Sequence, residues 1–218
     1  MNLQSLIDFL KELNDNNNRE WFNENRGKYE TAKKGFEELM NSLIPGIYKI
    51  DPSIGTPDVK KSIFRIFRDV RFSNNKLPYK TNFGGFIAKG GRKSGNAGYY
   101  LHIEPGNSFI GGGNYLPQSD ALKAIRSEIL YNVDEFKGVL SEARFKKYFN
   151  QIEGEKLKRP PKGFPADFPD VELLKFKSYI AINHLSDKQV LSKSFEQYAN
   201  KVFEALSPLN LFLNRSFD

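Results

Sequence analysis

Apolar residues recur every three or four positions at the start of the chain, which is the spacing of one face of an α-helix. The first set of such residues is Leu3, Leu6, Ile7, Leu10 and Leu13. This set predicts a short helix that ends in the asparagine-rich run 14–18. A longer helical period starts near Asn17 and Glu20, which have the spacing of a capping box, and is predicted to end at Pro45. Residues from about 3 to 44 are therefore expected to be helical.

The apolar period changes to two from Ser62, which is the spacing of a β-strand. The alternating apolar residues Phe64, Ile66, Val70 and Phe72 predict a strand over 64–72, whose pattern is interrupted at Arg68. Further strands are predicted over 83–89, 99–104 and 108–112, and the tight turn EPGN joins the last two. Residues from about 62 to 113 are therefore expected to form an antiparallel meander.

Helical spacing returns after the meander and predicts helices over about 120–149, then a strand and a final helix over about 176–213. Residues from about 151 to 170 form an irregular segment with many prolines and a basic cluster. Such a segment is more often a lid or a binding loop than a simple connection. Together these elements predict a single α+β domain over 1–218, in which N-terminal and C-terminal helices pack an antiparallel sheet.

Composition limits the chemistry that the chain can perform. Hydrophobic residues make up 39% of the 218 residues, enough for a core, and cysteine is absent. Its absence excludes disulfides, thiolate nucleophiles and metal centres held by cysteine, and it fits a reducing compartment. Asp8 and Glu12 interrupt the first apolar segment, so we expect neither a signal peptide nor a membrane span there. We predict a cytoplasmic protein that does not bind membranes.

Positive charge is concentrated in one part of the chain. The whole chain has a net charge of +7, but the segment from Lys60 to Tyr100 carries ten basic residues and a single acidic residue, Asp69. The remaining residues together have a net charge of −2. A positive field confined to one segment favours a site for an anion over a general effect on solubility.

The predicted anion contacts are basic residues of this segment and of the later irregular segment. They are Arg65, Arg68, Arg71, Lys76, Lys80, Arg159 and Lys162. Arginine offers a fork of donors and lysine a point charge, and proteins hold phosphate and carboxylate with both. The first three arginines are spaced by three, whereas residues on one strand face are spaced by two. Arg68 is therefore expected to lie at a bulge or to point inward to a polar partner, the alternative being a solvated strand face.

Three residues are candidates for proton transfer: Tyr79, His102 and Glu104. A strand from Tyr99 would place Tyr100, His102 and Glu104 on one face, where the imidazole beside a carboxylate could act as a general base. The alternative is a histidine that is only hydrogen-bonded within the sheet. The other histidine has no further nitrogen or sulfur ligands nearby, and we predict no metal site and no cofactor.

Two patterns of nucleotide and nucleic-acid binding are incomplete in this sequence. The segment GGFIAKGGRKSG has Gly85 and Gly90 at the spacing of a phosphate-binding loop, but Gly91 stands where that loop requires lysine. A strand, and not a helix, is also expected to follow this segment, which excludes a Walker-type nucleoside triphosphatase. Aromatic and basic residues interleave in the meander and could stack bases, although the RNP motif of RNA-binding sheets is absent.

Four longer motifs are similar to those of a known family. They read NNNREWFNENRGKY, RIFRDVRFSNNKLPYKTNFGGF, GYYLHIEPGNSFIGGGNY and LKRPPKGFPADFPDVELLKFKS. Over nearly its whole length the chain resembles a widespread, mainly bacterial family catalogued as domain of unknown function 2461. The resemblance implies one family-wide domain of mixed helices and strands, and it brings no catalytic assignment. The positions that match its motifs include Asn18, Arg19, Trp21, Phe22, Arg26, Arg68, Asp69, Arg71, Phe72, Lys76, Pro78, Tyr79 and Lys80.

The leading hypothesis from the sequence is a basic pocket for a small molecule that bears phosphate or carboxylate. The first alternative is a nucleic-acid-binding module, whose affinity would fall steeply with salt as counterions are released. The second alternative is a structural or adaptor protein, in which the arginines pair with acids such as Asp69 and Glu104. The residue patterns leave open whether the chain catalyses a reaction.

Overall fold

Helices and one sheet alternate along the chain, and the computed structural model describes residues 3–217. The first elements are α1 (Leu3–Asp15), α2 (Arg19–Glu24), α3 (Arg26–Ile50), a 3₁₀ helix (Pro52–Ile54) and α4 (Val59–Ser62). The strands β1 (Phe83–Ala88), β2 (Gly98–Ile103) and β3 (Ser108–Asn114) follow. The later elements are α5 (Ser119–Tyr131), α6 (Val133–Ser141), α7 (Ala143–Tyr148), α8 (Val171–Leu174), β4 (Tyr179–Leu185), α9 (Asp187–Val190), α10 (Phe195–Asn214) and a 3₁₀ helix (Arg215–Phe217). Residues 1, 2 and 218 of the predicted domain lie outside the described residues.

The four strands form one antiparallel sheet in the order β1-β2-β3-β4. The first three strands are the predicted meander, and β4 returns after α5–α8 to pair with β3. In the register, Gly85 lies opposite Leu101, and Leu101 lies opposite Ile110. The predicted α+β class, an antiparallel sheet packed by N-terminal and C-terminal helices, is confirmed.

Helices α3 and α10 pack on one face of the sheet, and α1 packs on α3. Side chains alternate between the two faces of a strand, so one set of residues points to these helices. The buried residues of this set include Phe83, Ile87, Leu101 and Ile110. The intervening residues face the other side, where Phe86, Tyr100 and Phe109 are half-exposed.

Two glycines let the helices approach the sheet closely. A Cβ atom at Gly112 would lie 2.5 Å from Cδ2 of Leu206 in α10. A Cβ atom at Gly85 would lie 2.6 Å from Sδ of Met40 in α3. Both distances are far shorter than a van der Waals contact, so the helices can lie this close only where the strand has no side chain.

The prediction that the second helical region ends at Pro45 is wrong, because α3 continues to Ile50. Proline removes one backbone hydrogen bond from a helix interior. Leu43 and Ile47, on either side of Pro45, are both fully buried, and this burial offsets the loss. Within the described part of the chain, no helix is both long enough and apolar enough to cross a membrane.

The N-cap of α2 is Asn18 and not Asn17, since the Asn18 side chain accepts a hydrogen bond from the Trp21 backbone N–H at 2.9 Å. Asn17 bonds to a distant segment instead. Its side-chain amide donates to the carbonyl oxygen of Tyr79 and its side-chain oxygen accepts from the Tyr79 N–H, both at 3.1 Å. These two bonds tie the segment before β1 to the N-terminal helices.

The predicted strand over 64–72 is wrong, and the sheet begins at Phe83. The segment makes isolated antiparallel bridges from Ile63 to Gly85 and from Phe67 to Tyr79. Three residues lie between the bridged positions on one side and five on the other, so a continuous ladder cannot connect them. The alternation of apolar residues thus belongs to an irregular segment beside β1.

We expect Gly112→Ala to destabilise the protein by about 1–3 kcal/mol, because the added methyl group has to displace α10 or a neighbouring strand. Gly138→Ala in α6 is the control, since a Cβ atom there meets nothing within 4 Å and alanine is the better helix former. Urea denaturation measures both free energies of unfolding. Equal stability of the two variants would contradict the close packing of α10 on β3.

Candidate functional site

A cavity of about 600 Å³ lies on the face of the sheet opposite α3 and α10. Its floor is the backbone of Gly111–Gly113 in β3. Its walls include Phe64, Phe86, Tyr100, Phe109, Ile180 and Ile182. The volume falls in the range of roughly 300–1,000 Å³ that is typical of small-molecule sites.

The backbone of β3 requires glycine in this floor. Gly113 has a φ of 105°, which residues with a side chain rarely adopt. A Cβ atom at Gly113 would lie 2.1 Å from the carbonyl oxygen of Tyr179, and one at Gly111 would lie 2.7 Å from that of Ala181. The fit of β3 beside β4 therefore leaves the open face of β3 without side chains at Gly111 and Gly113.

Aromatic rings form much of the cavity wall. The Tyr100 ring packs against Phe64 with 6.1 Å between the ring centroids and against Phe109 with 5.6 Å. The imidazole of His102 stacks on Phe109 at 4.5 Å, with 12° between the ring planes. The cavity therefore offers apolar ring surfaces next to a bare backbone floor.

Lys80 reaches the cavity because its neighbour Tyr79 is fixed in the core. Tyr79 is buried and stacks on Phe22 with 4.0 Å between the ring centroids, and Asn17 holds its backbone. Successive side chains of an extended chain point to opposite sides, so Lys80 points away from the core. Its backbone N–H donates to the carbonyl oxygen of Ile66 at 2.8 Å, and its half-buried side chain lines the cavity.

Lys80 and Arg92 are cations that line the cavity, and both contact the ring of Phe64. Lys80 Nζ lies 5.5 Å from the ring centroid and Arg92 Cζ lies 4.5 Å from it. Within residues 3–217, neither cation forms an ion pair with a carboxylate. Burial, followed by the positive charges of Arg65, Arg92 and Arg68, lowers the pKa of Lys80 below its ordinary value.

Arg71 and Lys76, two of the predicted anion contacts, form hydrogen bonds within their own loop. The Arg71 guanidinium donates two hydrogen bonds to the Asp69 carboxylate, at 3.0 and 2.7 Å. These bonds lower the pKa of Asp69 below its ordinary value. Lys76 Nζ donates to the carbonyl oxygen of Val70 at 3.1 Å. Both basic side chains are exposed, and neither lines the cavity.

Arg68 also belongs to this loop and not to the core. Its guanidinium donates to the carbonyl oxygen of Leu77 at 3.1 Å and to Ser73 Oγ at 3.4 Å. Its backbone N–H donates to the carbonyl oxygen of Pro78 at 2.9 Å. The arginine spacing of three predicts an irregular backbone here, and the mismatch between the two isolated bridges of this segment is such an irregularity. The half-buried side chain of Arg68 therefore holds the loop 68–78 together.

The other predicted anion contacts, Arg65, Arg159 and Lys162, are exposed and do not line the cavity. The charge of Arg65 still acts on the site, because it lowers the pKa of Lys80. Arg159 and Lys162 lie in the irregular segment 151–170, which joins the end of α7 to α8. Among the predicted anion contacts, the structure therefore brings Lys80 to the cavity.

Tyr100, His102 and Glu104 form a hydrogen-bonded chain on one face, as their spacing of two predicts. Tyr100 Oη lies 3.0 Å from His102 Nδ1, and His102 Nε2 lies 3.2 Å from Glu104 Oε2. Thr81 Oγ1 donates to Glu104 Oε1 at 2.7 Å, and Asn107 Nδ2 donates to Oε2 at 2.8 Å. An ionised carboxylate only accepts hydrogen bonds, so His102 donates a hydrogen bond to Glu104 from Nε2. Its Nδ1 then accepts a hydrogen bond from the Tyr100 hydroxyl.

Burial and hydrogen bonds set the charges of this chain. Burial lowers the pKa of His102 below its ordinary value, against the opposing effect of Glu104. Burial alone would raise the pKa of Glu104, but hydrogen bonds from Thr81, Asn107 and His102 bring it below its ordinary value. Burial and the charge of Glu104 raise the pKa of Tyr100 to about 12. At neutral pH the imidazole and the phenol are therefore neutral, and the carboxylate is charged.

Sequence patterns did not identify Tyr100, Arg92 or the glycine floor as parts of one site. The available signal for Tyr100 was its place on the same strand face as His102. Arg92 lies between β1 and β2, and only the folded chain brings it to Phe64. Among the described residues, no group of three or more His, Asp or Glu side chains is arranged to hold a metal ion.

The chain belongs to the family of conserved hypothetical proteins DUF2461, whose family model matches residues 5–212. This match confirms the family that the sequence motifs indicated and includes every residue that lines the cavity. No curated protein and no solved structure matches the chain. The comparisons therefore show the family and add no ligand or activity.

We expect the free energy of unfolding to fall as the pH is lowered from about 7 through the ordinary imidazole pKa of about 6.5. The folded state holds His102 at a lowered pKa, so the unfolded chain binds the proton first and acid favours unfolding. His102→Gln should remove this part of the pH dependence. His184→Gln, which replaces the exposed histidine, is the control.

Urea denaturation of both variants between about pH 7 and pH 5 measures this effect. The lowered pKa of Glu104 acts in a separate range, because its contribution to stability is lost only as the pH falls below about 4.5. An unchanged pH dependence in His102→Gln would contradict the buried, neutral imidazole.

Proposed function

We propose that this member of the DUF2461 family binds a small anionic molecule with a flat apolar part, in the cavity on the open face of the sheet. The observation that carries the proposal is the pair of cations Lys80 and Arg92, which line the cavity without a carboxylate partner in residues 3–217. A half-buried cation without a counterion is unfavourable, and a bound carboxylate or phosphate supplies the counterion. The lowered pKa of Lys80 agrees with this, because burial and the nearby positive charges disfavour its charged form.

The rest of the cavity supports a ligand with a flat apolar body. The backbone of Gly111–Gly113 leaves room for a ring to lie close to the sheet. Phe64, Tyr100 and Phe109 surround this floor with aromatic surface. Apolar walls with a few convergent charges are typical of sites for small molecules, in which the charges fix the orientation.

A single-stranded nucleic acid is the second candidate ligand. Tyr100 and Phe109 lie on an open sheet face beside basic side chains, and unpaired bases stack on such arrangements. His102 already stacks on the Phe109 ring, and Tyr100 packs between Phe64 and Phe109, which leaves little ring surface for successive bases. We therefore favour the small molecule.

We expect Lys80→Met and Arg92→Met each to weaken the binding of naphthoate by about fivefold or more, because each removes a charge-assisted hydrogen bond. Methionine keeps an unbranched apolar side chain at the position. Lys76→Met is the matched control, since it removes a charge of the same basic segment that does not line the cavity. This control should change the affinity by less than about twofold.

Isothermal titration calorimetry gives the dissociation constants. Methoxynaphthalene, which lacks the charge, and inorganic phosphate, which lacks the ring, should both bind more weakly than naphthoate. Equal affinities of Lys80→Met and Lys76→Met for naphthoate would overturn the proposal. Tight binding of oligouridylate that falls steeply with salt and is lost in Tyr100→Ala would favour the nucleic acid instead.

A further inference from the structure

We propose that Tyr100 is a nucleophile, activated by His102 and Glu104, that attacks an electrophilic ester centre of the bound anion. The substrate class is an anionic ester of a carboxylic or phosphoric acid. The inference rests on the proposed function, because the cations Lys80 and Arg92 hold the anion in the cavity that Tyr100 lines. The observation behind it is a series of hydrogen bonds from Glu104 through His102 to the hydroxyl of Tyr100, a residue that lines this cavity.

Tyr100, His102 and Glu104 supply the three parts of an activated nucleophile: a hydroxyl, a base within hydrogen-bond distance and a group that orients the base. The Tyr100 hydroxyl lies 3.0 Å from Nδ1 of His102, and Glu104 lies 3.2 Å from the other ring nitrogen. Stacking on Phe109 fixes the plane of the imidazole. Hydrogen bonds from Thr81 and Asn107 fix the Glu104 carboxylate.

Gly84 makes the contact between Tyr100 and His102 possible. It lies directly opposite His102 in the register of β1 and β2. A Cβ atom at Gly84 would lie 2.5 Å from Tyr100 Oη, so a side chain there has to push the hydroxyl away from its position. The φ of Gly84 lies outside the left-handed region, so the backbone itself accepts alanine. The absence of a side chain at Gly84 thus allows the Tyr100 hydroxyl to occupy its position beside His102.

The electrostatics of the cavity suit attack by a neutral phenol. Burial raises the pKa of Tyr100 to about 12, so the hydroxyl keeps its proton at neutral pH and needs a base during the attack. The neutral His102 can accept this proton, and Glu104 then compensates the charge of the imidazolium. Lys80 and Arg92 stabilise the negative charge that develops on the ester in the transition state.

The step balances without a cofactor. A bond forms from Tyr100 Oη to the carbonyl carbon or phosphorus, and the bond from that centre to the leaving oxygen breaks with its electron pair. The hydroxyl proton moves to Nδ1 of His102 and is then passed to the leaving oxygen. Water, with His102 again as the base, hydrolyses the tyrosyl ester and restores the hydroxyl.

The test uses para-(fluorosulfonyl)benzoate, which combines an aromatic ring, a carboxylate and an electrophile that reacts with tyrosine. The phenol oxygen bonds to sulfur, the sulfur–fluorine bond breaks, fluoride leaves and His102 takes the proton. Peptide mapping by mass spectrometry measures the rate at each tyrosine. We expect Tyr100 to react about tenfold faster or more than Tyr131, which is 80% exposed and does not line the cavity.

Three variants test the activation. His102→Gln should slow the labelling of Tyr100 by about tenfold or more and leave Tyr131 unchanged, and Glu104→Gln should slow it less. Gly84→Ala should also slow it, because it displaces the hydroxyl while keeping every polar group. His184→Gln is the control and should label like the parent chain. Circular dichroism and the urea midpoint of each variant show that it is folded.

A neutral probe separates this inference from the proposed function. With benzenesulfonyl fluoride, which lacks the anion, Tyr100 should still react faster than Tyr131 and still depend on His102. The additional acceleration by the carboxylate probe should disappear in Lys80→Met. Equal rates at Tyr100 and Tyr131 with both probes would overturn the nucleophile while leaving the anion site in place. A fast Tyr100 with no preference for the carboxylate probe would support the nucleophile and contradict the anion site.

Discussion

The close contact between α10 and β3 determines which side of the sheet each strand residue faces. Because Gly112 has no side chain, Leu206 of α10 lies against the strand, and alternation then directs every second residue of β3 to the helices. The antiparallel register carries this assignment through β2 to β1, where Leu101 and Phe83 enter the core. The intervening residues of each strand therefore lie on the opposite face; they include Tyr100, His102, Phe109 and Gly111. The cavity is thus a consequence of one packing contact and one register.

The open face combines features that do not stabilise a sheet by themselves. Glycine lowers the stability of a strand, yet three glycines in succession form the centre of β3. Lys80 and Arg92 share one aromatic ring and have no carboxylate partner among the described residues, whereas Arg71 of the nearby loop is matched by Asp69. Departures from locally stabilising patterns concentrate at functional sites, because a ligand completes the missing interactions there.

The parts of this structure that sequence could predict are those set by local periodicity. Strands β1 to β3 and the shared face of His102 and Glu104 follow from a period of two, which the register preserves. The segment 64–72 has a similar alternation, but its partner contributes two more residues between the bridges, and no local pattern reveals that mismatch. The number of charges along the sequence indicates the basic segment but not which of its cations face the cavity. That depends on how Tyr79 is anchored and on where the β1–β2 connection folds.

The proposed function depends most on where an anion binds, and a crystal structure of the complex with bromonaphthoate locates the bound anion directly. The anomalous signal of bromine marks the ring, and the electron density marks the carboxylate. We expect the carboxylate within hydrogen-bond distance of Lys80 and Arg92 and the ring over Gly111–Gly113. A carboxylate bound at the loop 68–78 or at the segment 151–170, with the cavity filled by water, would contradict the proposed function.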